Sequence, residues 1–334
     1  MTAYEKLQAK LKRRPKKWLV TGAAGFIGSH LTESLLKLNQ KVVGLDNYST
    51  GFAANIEDVR NQVSPLQRRS FRMIEGDITR PVDCRKACHG VDYVLHQAAL
   101  GSVPRSFETP LQTHLANTTG FLEILLAAQR ANVKRVVYAS SSSVYGDEKT
   151  LPKKELRTGT PLSPYAVSKA VDELYAAVFG KGYGQEIVGL RYFNVFGPRQ
   201  DPNGPYAAVI PQWIQALLKD KKTQINGDGK TSRDFCYVAN AVQANLLAAT
   251  SDQEPGRTYN VAAGARTTLN QLHRQLRKLT GAKNRPQHRE FREGDVRHSL
   301  ADISMAKREL DFCPTHNLEQ GLEQTVPWYR AQTS

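Results

Sequence analysis

Residues 18–28 read WLVTGAAGFIG, and residues 41–46 read KVVGLD. The apolar residues Trp18–Val20 predict a short buried strand, and the glycines after them predict a tight turn into a helix from Ser29 to Leu38. The second apolar run predicts another strand and ends in an acid. Strand, glycine turn, helix and strand in this order are typical of a βαβ unit in a parallel sheet.

The glycine turn has the spacing Gly-x-x-Gly-x-x-Gly, at Gly22, Gly25 and Gly28. Glycine lets the backbone come close to a pyrophosphate, and the unpaired amides at the start of the next helix favour negative charge. Asp46, at the end of the second strand, could accept hydrogen bonds from an adenosine ribose, which favours NAD over NADP. The unit therefore predicts a dinucleotide site, although its spacing differs from the better-known Gly-x-Gly-x-x-Gly.

Apolar runs and helical patterns continue to alternate after this unit. Alternation of this length predicts an α/β fold with a Rossmann-type doubly wound parallel sheet, whose ligands bind at the carboxyl ends of the strands. We expect a basic extension over residues 1–16 and an NAD-binding domain over 17–194, to which segments around 235–262 return. Residues 195–334 are expected to form mainly a smaller, irregular α/β substrate domain, with helices at Val209–Leu218 and Leu269–Thr280.

A second motif follows the predicted fifth strand, where residues 140–146 read SSSSVYG and residues 164–169 read PYAVSK. Tyr165 and Lys169 are four residues apart, so a helix from Ala166 to Phe179 would place them on one face. An ammonium beside a phenol stabilises the phenolate, which could then remove a proton from an alcohol. A serine at the end of the strand could share a proton with the same oxygen. The pattern alone also fits two surface residues on an ordinary helix.

The overall composition indicates a globular protein with a basic surface. The net charge is +15 and the sequence pI is about 9.7, which suits an anionic substrate and also raises nucleic acid as a partner. We expect no nucleic-acid function, because no motif for it accompanies the charges. No run is apolar enough for a membrane span or a secretory signal. The cysteines Cys84, Cys88, Cys236 and Cys313 match neither a disulfide framework nor a metal site, so we expect reduced thiols, no metal and a cytoplasmic protein.

A resemblance to a known family rests on both motifs and on three further stretches of the sequence, Leu95–Ser106, Arg191–Gly197 and Arg292–Ser299. The chain resembles the extended short-chain dehydrogenases/reductases that act on nucleotide sugars, and more narrowly the bacterial UDP-N-acetylglucosamine 4-epimerases of surface-polysaccharide synthesis. The resemblance covers nearly the whole chain. It implies tightly bound NAD, a UDP-sugar substrate and a homodimer formed by helices of the first domain.

The resemblance also implies a mechanism. Tyr165 would take the proton from the sugar 4-hydroxyl while hydride passes from C4 to the nicotinamide. Lys169 would hold the nicotinamide ribose and stabilise the phenolate, and Ser141 would hydrogen-bond the 4-oxygen, with Ser142 beside it. The 4-keto sugar would then turn over and take the hydride back on its other face.

The motifs and the resemblance together predict two sets of binding residues. The cofactor set is Gly22, Gly25, Phe26, Ile27, Gly28, Asp46, Asn47, Asp77, Ile78, Gln97, Ala98, Ala99, Asn117, Tyr165, Lys169 and Tyr192. The substrate set is Ser102, Ser141, Ser142, Tyr165, Asn194, Val209, Arg233, Arg292, Asp295 and Ser299. The two arginines of the substrate set are the expected clamps for the second diphosphate.

Related enzymes share the early chemistry but differ at specific positions. Sugar 4,6-dehydratases have an acid pair where this chain has Ser142 and Ser143, and a hydroxyl is a poor acid for expelling water. UDP-glucuronate decarboxylases usually keep a glutamate at position 143. Reductases that release NADP favour a basic residue in place of Asp46. These differences favour 4-epimerisation.

The choice of sugar depends on position 299, where the resembled family has either a bulky tyrosine or a small side chain. Ser299 would leave room for a 2-N-acetyl group, although a roomy pocket does not strongly reject UDP-glucose. UDP-N-acetylglucosaminuronate is the other open substrate, because several arginines could bind its carboxylate. A function of another class, a non-catalytic NAD sensor or scaffold, is disfavoured by the retained Ser141, Tyr165 and Lys169.

Overall fold

A computed structural model describes residues 1–204, 206–291 and 297–333. Its strands are β1 Lys17–Thr21, β2 Lys41–Asp46, β3 Phe71–Glu75, β4 Tyr93–His96, β5 Arg135–Ser141, β6 Ile187–Tyr192, β7 Val195–Phe196, β8 Gln224–Asn226, β9 Ser232–Arg233, β10 Cys236–Tyr237, β11 Arg257–Val261, β12 Thr267–Thr268 and β13 Gln287–Arg289.

The helices connect these strands and cover both faces of the main sheet. They are α1 Ala3–Arg13, α2 Phe26–Lys37, α3 Ala53–Asn61, α4 Pro65–Arg69, α5 Pro81–Cys88, α6 Val103–Glu108, α7 Pro110–His114, α8 Gly120–Arg130, α9 Pro164–Tyr183, α10 Val209–Leu218, α11 Val238–Thr250, α12 Leu269–Thr280, α13 Ser304–Leu310 and α14 Leu318–Thr333. A π-helical turn at Leu115–Thr119 and a 3-10 turn at Ser142–Tyr145 complete the set.

Seven strands form one sheet in the order β11-β6-β5-β4-β1-β2-β3, and every neighbouring pair is parallel. The strand order reverses between β1 and β4, so the loops after these strands diverge and leave a crevice at the carboxyl edge. The prediction of a Rossmann-type doubly wound sheet is confirmed. The strand β11, from the second half of the chain, pairs with β6 and extends the sheet of the first half.

The side chains of the central strands alternate between two apolar layers, as the pleat of a strand requires. Trp18 and Val20 point into one layer with helices α2 and α11, whereas Leu19 points into the other with α5 and α8. Because both faces of the sheet are buried, these strands consist of near-continuous apolar runs. This is why they could be recognised in the sequence.

Some boundaries differ from the sequence-based prediction. The helix after the glycine turn begins at Phe26 rather than Ser29, so Gly28 belongs to its first turn. The helix Val238–Thr250 was not predicted: it is buried along almost its whole length, so no polar face marks it. The basic extension forms α1, whose residue Leu11 is buried in the first core layer with Tyr4 and Leu7 packed against it.

A smaller irregular lobe lies beyond the sheet. Its core joins helices α10, α12 and α14 around Trp213, Leu272 and Leu322. The predicted helices Val209–Leu218 and Leu269–Thr280 both have the predicted bounds. Within the described ranges, no helix is long and apolar enough to cross a membrane.

Candidate active site

The glycine turn after β1 is packed against the backbone on two sides. A Cβ on Gly22, whose φ is +67°, would lie 2.8 Å from the backbone nitrogen of Ala98, and one on Gly28 would lie 2.0 Å from the carbonyl oxygen of Gly22. Gly25 is the N-cap of α2 and gives no side-chain cap, so the first amides of this helix are open to the crevice. These features fit a bound pyrophosphate.

Asp46 lies at the carboxyl end of β2 beside this turn. Its carboxylate accepts hydrogen bonds from the backbone amides of Ala24 at 2.9 Å and Tyr48 at 2.8 Å, and burial raises its pKa. Asp77, after β3, accepts 2.7 Å hydrogen bonds from the side chains of Asn47 and Thr79. Both carboxylates are held in place by their neighbours and border the crevice.

Gln97 and Tyr192, at the ends of β4 and β6, are joined by a third residue that the sequence did not reveal. The Tyr192 hydroxyl donates to Gln97 at 3.0 Å, and Asn245 of α11 donates to the Tyr192 hydroxyl at 2.7 Å. Gln97 in turn donates to Asn245 at 3.1 Å. This closed triangle fixes the floor of the crevice. An asparagine within an apolar helix pattern was the available signal for Asn245.

Tyr165 and Lys169 lie on the first turns of α9 and both border the crevice. The Lys169 ammonium is 3.3 Å from a carboxylate oxygen of Asp172, one turn further along the helix. Ser141, at the end of β5, borders the same crevice, and its hydroxyl accepts a hydrogen bond from the Ser143 amide at 3.1 Å. The arrangement brings a phenol, an ammonium and a hydroxyl to one place.

A buried polar network supports the end of β5, which carries Ser141. Arg191 of β6 pairs with Glu173 of α9 at 2.7 Å and donates to the Tyr145 hydroxyl at 3.1 Å. Ser140 donates to the same glutamate at 2.5 Å, and Tyr145 donates to Asn260 at 2.7 Å. The network connects β5, β6, β11 and α9, so Ser141 at the end of β5 has a fixed position relative to Tyr165.

The crevice has a volume of about 720 Å³. Seventeen of the predicted site residues border it: Gly22, Gly25, Phe26, Ile27, Gly28, Asp46, Asn47, Asp77, Ile78, Gln97, Ala98, Ala99, Ser141, Tyr165, Lys169, Tyr192 and Asn194. We call this space the cofactor cleft. Its size, its open helix N-terminus and its two carboxylates fit a dinucleotide.

Three predicted residues lie near the cofactor cleft without bordering it. The Asn117 side chain is buried beneath the cleft and is hydrogen-bonded to both backbone groups of Leu100 and to Ser168. Ser102 caps α6 by accepting from the Arg105 amide at 3.3 Å, and Ser142 begins the 3-10 turn after Ser141. Asn117 thus supports the wall of the cleft, and Ser102 and Ser142 belong to its flanking loops.

A second cavity of about 350 Å³ continues the cofactor cleft into the smaller lobe, and the two share Asn194, Val195 and Gln200. We call it the lobe cavity. Val209 and Arg233 border it as predicted substrate residues. Its other polar and aromatic walls were not predicted as site residues, because they come from separate loops, helices and short strands. They include Phe196, Gln212, Trp213, Gln224, Asn226, Thr231, Phe235 and Phe291.

Ser299 lies beside Arg233, because its backbone amide donates to the Ser232 carbonyl at 3.0 Å. Buried Asp234 anchors the same region by accepting from the amides of Ala263 and Ala301 at 3.0 and 3.2 Å, and burial raises its pKa to about 6. The predicted residues Arg292 and Asp295 lie outside the described residues.

Comparison with known proteins agrees with this geometry. The model of the NAD dependent epimerase/dehydratase family matches residues 18–262. The structure of a UDP-N-acetylglucosamine 4-epimerase from Methanobrevibacter ruminantium M1, solved in complex with UDP-N-acetylmuramic acid, is similar with a TM-score of 0.89. It is 40% identical in sequence, over 95% of this chain and 99% of that one.

Two curated relatives are named as 4-epimerases of other UDP-sugars. A UDP-glucose 4-epimerase from Mycolicibacterium smegmatis is 35% identical over 93% of this chain and 98% of its own. A UDP-glucuronate 4-epimerase from Thermodesulfobacterium geofontis is 32% identical over 93% of this chain and 95% of its own. The chain therefore belongs to the NAD-dependent epimerase/dehydratase family, as an NAD-dependent isomerase of its UDP-sugar 4-epimerase group.

Proposed function

We propose that the protein is a UDP-N-acetylglucosamine 4-epimerase, which interconverts UDP-N-acetylglucosamine and UDP-N-acetylgalactosamine for surface-polysaccharide synthesis. One observation carries the proposal: the Tyr165 and Lys169 pair opens into the cofactor cleft, and this cleft continues into the lobe cavity. We assign NAD to the cleft of the 17–194 domain, completed by segments around 235–262, and the UDP group to the lobe cavity, within the mainly substrate-binding region 195–334.

Three residues that border the cofactor cleft divide the chemistry among them. Tyr165, as phenolate, would remove the proton of the 4-hydroxyl, and Ser141 would hydrogen-bond the same oxygen. Lys169 would stabilise the phenolate and bind the nicotinamide ribose. Bound NAD would supply the acceptor for the hydride that leaves C4 of the sugar, and the same hydride would later return to the keto sugar. Because the two cavities share Asn194, Val195 and Gln200, we infer that the keto sugar turns over near these residues while the UDP group stays in the lobe cavity.

The N-acetyl preference is supported by Ser299 and by the relative that is 40% identical. The half-buried serine is hydrogen-bonded through its amide to β9, which carries Arg233, and it borders neither cavity itself. We infer that the longer side chain of a tyrosine at this position would reach the space of the sugar. A pocket with spare room binds smaller sugars as well, so some activity with UDP-glucose is expected.

UDP-N-acetylglucosaminuronate is the second candidate substrate. Burial and the nearby Arg266, Arg297 and Arg233 lower the pKa of His298, against the opposite effect of Asp228. Among these arginines, Arg233 borders the lobe cavity. A sugar carboxylate could meet this charge. The relative named as a UDP-glucuronate 4-epimerase makes a carboxylated substrate worth testing.

The substrate is tested by measuring kcat/KM of the purified protein for UDP-N-acetylglucosamine, UDP-glucose and UDP-N-acetylglucosaminuronate under identical conditions. We expect kcat/KM for UDP-N-acetylglucosamine to exceed that for UDP-glucose by about tenfold. This factor is at the lower end of the discrimination that a pocket achieves by fitting one small group. A higher value for the uronate would replace the proposed substrate with the second candidate. Bound NAD without turnover of any UDP-sugar would favour the sensor or scaffold instead.

We infer that the protein forms a homodimer through the outer faces of α6, α7 and α9. Phe107 on α6 and Leu111 on α7 are exposed, and Val167, Leu174 and Val178 form an exposed apolar row on the neighbouring helix α9. Exposed apolar side chains on neighbouring helices suit pairing with the same helices of a second copy. Light scattering of Leu174→Lys should show a monomer, whereas an unchanged dimer would exclude this face.

We place the protein in the cytoplasm because its thiols suit a reducing compartment. Cys84, Cys88 and Cys236 are buried and free, and burial raises the pKa of Cys84 and Cys88 to about 12. Such thiols are inert structural groups rather than parts of a disulfide framework.

A further inference from the structure

Helix α9 carries a third polar residue in line with the two proposed catalytic residues. Tyr165, Lys169 and Asp172 follow one another at spacings of four and three, so they lie on one face of the helix. The side chains of Lys169 and Asp172 are only 3% and 1% exposed. Asp172 is therefore a buried carboxyl group behind the ammonium, and the mechanism above gives it no role.

The two oxygens of Asp172 have different surroundings. Oδ2 is 3.3 Å from the Lys169 ammonium, whereas Oδ1 has no hydrogen-bond partner among the described residues. A buried carboxylate with one unpaired oxygen is costly, because its charge is only partly compensated. A residue needed only for packing at this position could be apolar, so its polar group calls for an explanation.

We propose that Asp172 is a positioning residue that binds one N–H of the Lys169 ammonium and offsets part of the ammonium charge acting on Tyr165. This inference deepens the proposed epimerase function and rests on it. A lysine ammonium has three N–H donors, so one bond to Asp172 leaves two for the cofactor cleft. The carboxylate fixes the direction of those two donors and moderates the phenolate-promoting effect of the lysine.

Other titratable groups surround this pair. Glu173 on the same helix and Tyr138 on β5 interact electrostatically with Asp172, and His96 on β4 interacts with Lys169. Burial is the largest effect on the Asp172 carboxyl and raises its pKa to about 7, against the attraction of Lys169. The negative charge behind the lysine therefore changes within the neutral pH range, and its effect on Tyr165 changes with it.

The charge effect is tested with Asp172→Asn, which keeps an oxygen that can accept from Lys169 but removes the negative charge. The measurement is the pH titration of phenolate absorbance in the purified, NAD-bound, full-length protein without sugar. Subtracting the same titration of Tyr165→Phe in each background isolates Tyr165. We expect the midpoint to fall by roughly one pH unit, because the phenolate is more stable without the nearby negative charge. A unit charge several ångströms away has an effect of this size at an effective dielectric constant of about 20.

The matched control is Glu319→Gln, which removes a carboxylate from an exposed position at the start of α14. We expect no shift of the midpoint in this variant, because Glu319 does not border the cleft and solvent screens its exposed charge. An unchanged or higher midpoint in Asp172→Asn would overturn the proposed charge offset. The titration requires no turnover, so it succeeds or fails independently of the proposed epimerase activity.

The positioning effect is tested by comparing Asp172→Asn with Asp172→Val, which has no acceptor. We expect NAD to bind the valine variant about tenfold more weakly than the asparagine variant, the cost of losing a hydrogen bond from a charged donor. Thermal unfolding of both variants identifies folded samples for the NAD titration. Equal NAD affinities of the folded variants would contradict the positioning role.

Discussion

The cofactor cleft and the lobe cavity form one continuous space, but the chain builds them in different ways. The cleft is bordered by residues at the ends of parallel strands, each next to a short motif such as Gly22–Gly28 or Tyr165–Lys169. The lobe cavity is bordered by single residues and short runs from loops, helices and short strands that are spread between Asn194 and Phe291. We therefore infer that the regular sheet provides the common chemistry and that the irregular lobe provides the selection of the sugar nucleotide.

This difference predicts separable effects of mutation. Changes in the cleft should affect cofactor binding or turnover with every UDP-sugar, because these steps are common to all of them. Changes in the lobe should alter the ratio between sugars while NAD stays bound. A variant that mixes the two effects would show that the cavities are not functionally distinct.

The largest effect is expected for Tyr165→Phe. Without the phenol oxygen no base remains at the 4-hydroxyl, so kcat should fall by about 10²–10⁴-fold for every UDP-sugar. The NAD content of the purified variant, measured after denaturation, should equal that of the native protein. Turnover at the native rate would refute the assignment of Tyr165 as the base.

A nearly as large effect is expected for Gly28→Ala. Its Cβ would lie 2.0 Å from the Gly22 carbonyl oxygen, a backbone atom that cannot move without opening the turn. We expect at least about tenfold weaker NAD binding, measured by titration of the purified protein, because the backbone would no longer fit a pyrophosphate. The control Gly182→Ala, where a Cβ would meet no atom within 4 Å, should leave NAD affinity unchanged.

Ser299→Tyr tests the lobe. The added ring should lower kcat/KM for UDP-N-acetylglucosamine by about tenfold and for UDP-glucose much less, because only the former carries a bulky 2-substituent. The amount of NAD bound to the purified variant should equal that of the native protein. Equal losses with both sugars would remove the role of position 299 in selection.

The smallest effect is expected for the stability of Asp172→Asn. The pKa of Asp172 is raised from 3.8 to about 7 in the folded state, so the folded protein binds this proton more tightly than the unfolded chain. The resulting stability is fully present below pH 3.8 and is lost as the pH rises through about 7. The variant should therefore gain a few degrees in Tm relative to the native protein at pH 8 and little at pH 5, by scanning calorimetry; an equal change at both pH values would contradict the titration of Asp172.

The sequence predicted the fold and most of the cleft because these depend on local patterns. Buried parallel strands are apolar runs, the glycine turn needs glycine for steric reasons, and a spacing of four brings Tyr165 and Lys169 onto one helix face. The family resemblance and the 4-epimerase group are confirmed by the comparisons. The roles of the individual residues stay predictions.

The sequence did not predict contacts that are made only by tertiary packing. Asn245 joins Gln97 and Tyr192 across a large sequence separation, and its position in an apolar helix pattern does not indicate which residues it contacts. Asp172 has the helical spacing of a site residue, but only its burial distinguishes it from a surface acid. The side chain of Asn117 is hydrogen-bonded to Leu100 and Ser168 in the cleft wall, and its role as a cofactor residue stays a prediction.

The most direct test of the central proposal, reversible hydride removal at C4 by retained NAD, uses UDP-N-acetylglucosamine with deuterium at C4. The purified protein is incubated with this sugar in ordinary water without added NAD, and the product is followed by NMR and mass spectrometry. The account predicts UDP-N-acetylgalactosamine that keeps its deuterium at C4, because the same hydride is taken up and returned. Formation of the galacto isomer with loss of the deuterium to solvent, or no conversion at all, would contradict it.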